Sequence, residues 1–290
     1  MIPAALFFLL AASLWAQKPA APAEEQTPTI QVDVDVVNVL FSVRDRNNRL
    51  VPDLSQDAFT VLEEGRQQEI RYFARESELP LTLGLLVDVS GSQEGLIEEE
   101  KRAASQFFAQ VLRPKDMAFL ISFGAEAELL QDLTNSPRLL QRGLNELRIS
   151  TSVGGIHPGP VPTASKPRGT ILFDAVYLAA REKLAREVGR KALVLITDGV
   201  DVGSRVKLAE AVEAAQKADA IIYSIYYYDP RAYYQAGWGF GGGGEGDLKR
   251  MSEETGGRVF KVSRKYTLPD IFKEIQQEMR SQYAIGYTPS

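Results

Sequence analysis

Two short turns in the sequence carry oxygen side chains that could bind a metal ion. The first reads Asp-Val-Ser-Gly-Ser and contains Asp88, Ser90 and Ser92, and the second reads Thr-Asp-Gly and contains Asp198. Carboxylate and hydroxyl oxygens are hard ligands, which suit Mg²⁺ or Mn²⁺ better than Zn²⁺. The residue types therefore predict an oxygen-lined cation site. A serine-rich turn that caps the following helix is the structural alternative.

Both turns follow apolar runs without polar alternation, at residues 83–87 and 192–196. Runs of this kind are typical of strands that are buried on both faces of a parallel sheet. An amphipathic stretch from about residue 93 to residue 112 follows the first turn and is predicted to be a helix. Because open α/β sheets bind ligands at the carboxyl ends of their strands, we expect both turns to lie at that edge.

A third stretch, Gly-Thr-Ile-Leu-Phe-Asp-Ala, places Thr170 at the start of a predicted helix after a long loop. In order and spacing, the three stretches resemble the metal-ion-dependent adhesion site of the von Willebrand factor type A domain: Asp88-x-Ser90-x-Ser92, then Thr170, then Asp198. The resemblance covers about residues 80–280. It implies an α/β fold with a doubly wound, mostly parallel central sheet flanked by helices.

The resemblance also implies a ligand set and a mode of binding. The implied metal ligands are Asp88, Ser90, Ser92, Thr170 and Asp198. Mg²⁺ or Mn²⁺ would be bound, with Ca²⁺ less favoured, and an acidic side chain of a partner protein would complete the coordination. Of two further acids, Asp174 is expected to hydrogen-bond around the site or to face a first-turn amide of its helix. Asp201 is expected to be a solvated loop residue.

Composition and local pattern argue for binding over catalysis. The haloacid-dehalogenase type of phosphotransferase has a second Asp where this chain has Ser90, and no Lys lies in either turn. Cys is absent and His157 is the single His, which argues against thiol or His-dependent catalysis. We expect no enzymatic activity; a metal-free structural scaffold and a Mg²⁺-dependent phosphotransferase or hydrolase are the alternatives. The net charge of −5 leaves no basic stripe for nucleic acid.

The N-terminal residues indicate export. Residues 1–16 are apolar and end in Ala-Ala-Ser-Leu-Trp-Ala, which resembles a secretory signal peptide, although no Lys or Arg precedes the apolar run. We expect cleavage near Ala16 and a secreted or periplasmic protein with no membrane span in the mature chain. A retained membrane anchor is the alternative. Residues 17–29 are rich in Pro, Ala and Glu and are predicted to be a disordered linker.

The segments on either side of the A-domain region alternate with period two, as half-exposed strands do. Residues 30–79 are predicted to form a small antiparallel β unit, and they resemble the leader of exported bacterial proteins of the "VWFA-related" family. We place the A domain at residues 80–281 and predict that residues 282–290 add a strand to the small unit, because a lone hairpin is marginally stable. Parallel alternation through residue 290 is the alternative. The glycine-rich run at residues 237–246 is predicted to be a mobile loop.

Overall fold

The computed structural model of the chain describes residues 36–47, 49–75, 79–150, 169–228 and 244–290. The predicted signal peptide and linker lie outside these ranges, as do His157 and residues 237–243 of the glycine-rich run. In the part of the chain that is described, no helix is both long and apolar enough to cross a membrane.

Six strands form a central sheet whose middle strands are fully buried. Five run parallel, and the sixth pairs antiparallel at one edge. Numbered along the chain and given in their order across the sheet, they are β10 (Val259–Lys261), β9 (Ala220–Tyr226), β8 (Arg190–Thr197), β5 (Leu81–Asp88), β6 (Met117–Phe123) and β7 (Ala127–Thr134). Every residue of β5 and β8 is buried, which explains why their sequences do not alternate.

Helices cover both faces of this sheet, and an apolar cluster fills the space on each face. The first cluster includes residues of α1 (Ile97–Val111), α2 (Pro137–Glu146) and α6 (Leu268–Met279). The second includes residues of α3 (Leu172–Leu178), α4 (Leu208–Lys217) and α5 (Glu245–Glu254). These layers confirm the predicted doubly wound α/β fold. The helix predicted from residue 93 begins at Ile97, because a 3-10 turn, Gly91–Gln93, comes first.

A smaller antiparallel sheet joins the two ends of the described chain. Its strands, in order, are β1 (Val37–Ser42), β11 (Gln282–Tyr287) and β4 (Ile70–Arg75), and β2 (Val61–Glu63) pairs with β3 (Arg66–Gln68) as a hairpin. The ring of Tyr283 on the middle strand lies 5.3 to 6.0 Å from the rings of Phe41, Phe59 and Phe73. The prediction that the tail pairs with the N-terminal unit is confirmed, and the alternative of parallel alternation through residue 290 is wrong.

Candidate metal centre

The carboxyl ends of β5 and β8 place the two acidic turns side by side. The strands are parallel neighbours, with Val87 opposite Ile196. The next residue on each strand, Asp88 or Thr197, therefore reaches the same edge of the sheet, and Asp198 follows directly. This is the edge at which open α/β sheets bind their ligands.

Hydrogen bonds at this edge connect four of the five residues that the sequence predicts as ligands. Ser92 Oγ donates to Asp198 Oδ2 at 2.6 Å and lies 3.0 Å from Ser90 Oγ. The Ser90 amide donates to Asp88 Oδ1 at 2.9 Å. Adjacent ligands of an octahedral Mg²⁺ with bonds of ~2.1 Å lie ~3 Å apart. The spacing of the two serine hydroxyls fits that requirement.

Thr170, the fifth predicted ligand, lies at the same edge, and its backbone is linked to the loop that follows the second turn. Its carbonyl oxygen accepts hydrogen bonds from the amides of Val202 and Gly203, at 3.0 and 3.3 Å. The next amide, that of Ile171, donates to Gly124 O just beyond β6, at 2.9 Å. The Thr170 residue is buried. The loop after β8 and the loop after β6 therefore fix the backbone at Thr170.

Thr197 is a residue of the candidate centre that the sequence analysis missed. Its hydroxyl donates to Asp88 Oδ2 at 2.6 Å and accepts from the Gly199 amide at 3.0 Å, so it connects the two turns. Gly199 adopts φ +78°, and a Cβ there would lie 2.7 Å from Gly244 O. The available signal was a hydroxyl directly after the apolar run at residues 192–196 and directly before an aspartate.

Asp174 and Asp201 hold the loop after Asp198 against the start of α3. Asp174 Oδ1 accepts hydrogen bonds from the amides of Arg205 and Val206, at 3.0 and 2.8 Å. Asp201 Oδ1 accepts from the Phe173 amide, at 3.2 Å, and from the Ser204 hydroxyl, at 2.6 Å. The prediction of a solvated Asp201 is therefore wrong, because this half-buried side chain binds a first-turn amide of the helix that Thr170 precedes.

The electrostatics of the centre favour bound positive charge. Asp88 is fully buried, although its place in a turn suggested a surface position. Burial and, to a smaller extent, the charge of Asp198 raise the pKa of Asp88 to about 7, although hydrogen bonds from Thr197 and Ser90 act in the opposite direction. A proton or a cation would relieve the repulsion between the two carboxylates.

The donor set of the candidate centre suits a hard cation. Within the described residues, no group of three or more His, Cys, Asp or Glu side chains could hold a metal ion. The centre instead combines two carboxylates with serine hydroxyls, and neutral oxygen donors of this kind are used for Mg²⁺ and Mn²⁺. The residues present therefore fit such an ion.

Comparisons with known proteins identify the fold. No protein-family model and no curated protein sequence matches the chain. The structure is similar to that of proximal thread matrix protein 1 from the mussel byssus, which has a zinc-occupied MIDAS motif, at 13% identity over 75% of this chain and 49% of that chain, with a TM-score of 0.52.

Two further similar structures have lower TM-scores. One is a von Willebrand factor type A structure from Catenulispora acidiphila, at 16% identity over 69% of this chain and 43% of that chain, with a TM-score of 0.49. The other is an aerotolerance-related membrane protein from Bacteroides fragilis, at 18% identity over 69% of this chain and 98% of that chain, with a TM-score of 0.48. At these identities the likeness concerns the fold alone.

Proposed function

The chain has the von Willebrand factor type A fold, and on that premise we propose that it is a metal-ion-dependent protein-binding module of an exported protein. The observation that carries the proposal is the chain of hydrogen bonds at the ends of β5 and β8, which brings Ser90, Ser92 and Asp198 together. The proposed ligands are these three residues with Asp88 and Thr170. Export is proposed from residues 1–16.

The charge of the site suits an acidic partner. Two carboxylates would balance one divalent cation, and the remaining protein ligands are neutral hydroxyls. Such an ion keeps a strong affinity for a further negatively charged oxygen, and Mg²⁺ usually retains water that a ligand can replace. We therefore assign the open position to an Asp or Glu side chain of a partner protein, for adhesion or assembly.

The burial of Asp88 favours binding over phosphoryl transfer. An aspartate nucleophile must reach the substrate phosphorus, but Asp88 is 0% exposed. Its two oxygens accept hydrogen bonds from Thr197 Oγ1 and the Ser90 amide. These contacts hold the carboxylate between the two turns and leave it poorly placed for attack on a substrate.

Affinity capture with matched baits tests the proposal. The full chain, in its wild-type form and as Asp88→Asn, is used to capture proteins from an extracytoplasmic extract in Mg²⁺ and in EDTA. We expect partners that bind the wild type in Mg²⁺, are lost in EDTA, and are not captured by Asp88→Asn. Partners that bind all four samples equally would instead support a metal-free scaffold. Phosphate-ester hydrolysis by the wild type that is lost in Asp88→Asn would support an enzyme.

A further inference from the structure

Glu100 is a buried acid on the face of α1 that packs against the central sheet. The other buried residues of this face are apolar and include Ile97, Ala103 and Phe107. Glu100 is 1% exposed, and within the described residues neither of its carboxylate oxygens has a hydrogen-bond partner. A buried charge without a partner is strongly unfavourable, and an apolar side chain of similar size would remove that cost. Packing alone therefore does not explain this residue.

A second polar side chain is buried in the 3-10 turn that precedes α1. Gln93 is fully buried, and its Nε2 donates to Tyr227 O at 3.4 Å. Its Oε1 has no hydrogen-bond partner in the described part of the chain. The unpartnered atoms of Gln93 and Glu100 are all acceptors, so the complement they lack is a donor or a cation.

Glu100 lies in the first turn of α1, on the face that packs against the central sheet. Helical side chains lean toward the helix N-terminus, and α1 begins shortly after the turn that carries Ser90 and Ser92. Burial raises the pKa of Glu100 well above its usual range, and the charges of Asp88 on β5 and Glu99 on the same helix raise it further. Because both neighbouring charges are negative, a cation at the centre would stabilise the ionised form of Glu100.

We propose that Glu100 is a positioning residue of the cation site, an inference that rests on the proposed function. Its carboxylate, ionised when a divalent cation is bound, adds negative charge near Asp88 and strengthens the binding of that cation without contacting it directly. Coupling between two sites is reciprocal. If the cation stabilises the ionised carboxylate, then removal of that carboxylate must weaken cation binding.

Isothermal titration calorimetry of the full chain with Mn²⁺ tests this role. Glu100→Gln keeps the shape of the side chain and removes its charge, and we expect Mn²⁺ to bind about tenfold more weakly or worse, as for other residues outside the ligand sphere. Glu98→Gln is the matched control, because it makes the same change on the same helix where the side chain is 78% exposed. We expect its Mn²⁺ affinity to change by less than about twofold.

Thermal melts separate this role from a purely structural one. In EDTA, Glu100→Gln and the apolar variant Glu100→Leu should melt at or above the melting temperature of the wild type. The increase in melting temperature that Mn²⁺ produces should be smaller in both variants than in the wild type. Equal Mn²⁺ affinity of the wild type and both variants would overturn the inference while leaving the proposed function intact. Absence of Mn²⁺ binding by the wild type would overturn both.

Discussion

Asp198 lies close enough to Asp88 at the strand ends for its charge to raise the pKa of Asp88. Burial is the larger cause of that shift, since it removes water that would stabilise the ionised Asp88. A proton and a divalent cation are two ways to relieve the same unfavourable charge, so they should compete for the site.

This competition predicts that metal affinity depends on pH. With the pKa of Asp88 at about 7, the carboxylate is mostly ionised at pH 8 and mostly protonated at pH 6. Competition by one proton then makes Mn²⁺ bind about tenfold more weakly at pH 6 than at pH 8. Calorimetric titrations at the two pH values measure the difference. An affinity that is unchanged over this range would show that Asp88 is not protonated in the metal-free protein.

The same shift predicts how the stability of the metal-free protein depends on pH. The folded-state pKa of Asp88 lies above its ordinary value of 3.8, so the stability contributed by the protonated group is present below about pH 4 and lost as the pH rises through 7. Urea unfolding in EDTA should therefore show that the free energy of unfolding falls between about pH 4 and pH 7. The fall should be smaller in Asp88→Asn, and an identical pH profile for the two proteins would contradict the assignment to Asp88.

At the scale of single residues, the sequence predicts which side chains could bind a cation better than it predicts what surrounds those side chains. Asp-x-Ser-x-Ser is a local pattern, so the grouping of Asp88, Ser90 and Ser92 could be predicted directly. The burial of Asp88 could not, because it depends on the strands on both sides. The contact of Thr197 with Asp88 joins residues 109 positions apart, and nothing local in the sequence encodes it.

Among the elements, β11 holds the small sheet together. It is the middle strand of the small sheet, so β1 and β4 both depend on it for hydrogen bonds. Tyr283 adds a packed ring and two hydrogen bonds, donating to Val51 O at 2.6 Å and accepting from the Leu54 amide at 2.9 Å. The period-two alternation of the tail predicted a strand, and its shortness predicted that it must join another sheet.

Removal of residues 282–290 should therefore unfold the small sheet and spare the metal centre. We expect amide hydrogen exchange to lose protection at residues 37–42 and 70–75 and to keep it in β5 and β8, with Mn²⁺ binding retained. Deletion of residues 288–290 is the control, because it leaves β11 intact and removes the hydrogen bonds between Ser290 and Gln68. Unchanged protection of β1 and β4 after the longer deletion would contradict this account.

The boundaries of elements were harder to predict than their existence. The buried runs that became β5 and β8 are unambiguous, because few other structures accept so many consecutive apolar residues. The start of α1 was predicted too early, since the amphipathic pattern extends into the 3-10 turn at Gly91–Gln93. Hydrogen bonding in that turn, rather than the apolar pattern, decides where the α-helix begins.

On the scale of the whole molecule, one buried acid ties the small sheet to the α/β body. Glu278 on α6 accepts hydrogen bonds from Ser42 at 3.2 Å, from Arg44 at 2.8 Å and from Arg258 at 3.1 Å. Glu278 is 3% exposed, so these bonds are shielded from water. The first two partners lie more than 200 positions away along the chain, which is why the sequence analysis did not predict this link.

Glu278→Gln should destabilise the whole described fold, because it removes the buried charge that pairs with Arg44 and Arg258 and leaves them Glu274 as an acidic partner. We expect the free energy of unfolding to fall by roughly 2 kcal/mol, as for the loss of hydrogen bonds to a charged group. Glu253→Gln is the control, since its pair with Lys249 is exposed and should contribute less than about 0.5 kcal/mol. Urea denaturation of the three proteins measures both values. Equal effects of the two substitutions would show that Glu278 does not link the two parts.

The central claim is that a divalent cation binds at the ends of β5 and β8, and Mn²⁺ titration of the wild type, Asp88→Asn and Asp132→Asn tests it most directly. Asparagine is used because alanine would leave the Thr197 hydroxyl and the Ser90 amide without an acceptor. Asp132 is the control because its side chain is 62% exposed. We predict saturable binding to the wild type and to Asp132→Asn that Mg²⁺ displaces, and binding at least about 100-fold weaker to Asp88→Asn with an unchanged circular dichroism spectrum. Equal Mn²⁺ titrations of the wild type and Asp88→Asn would contradict the claim.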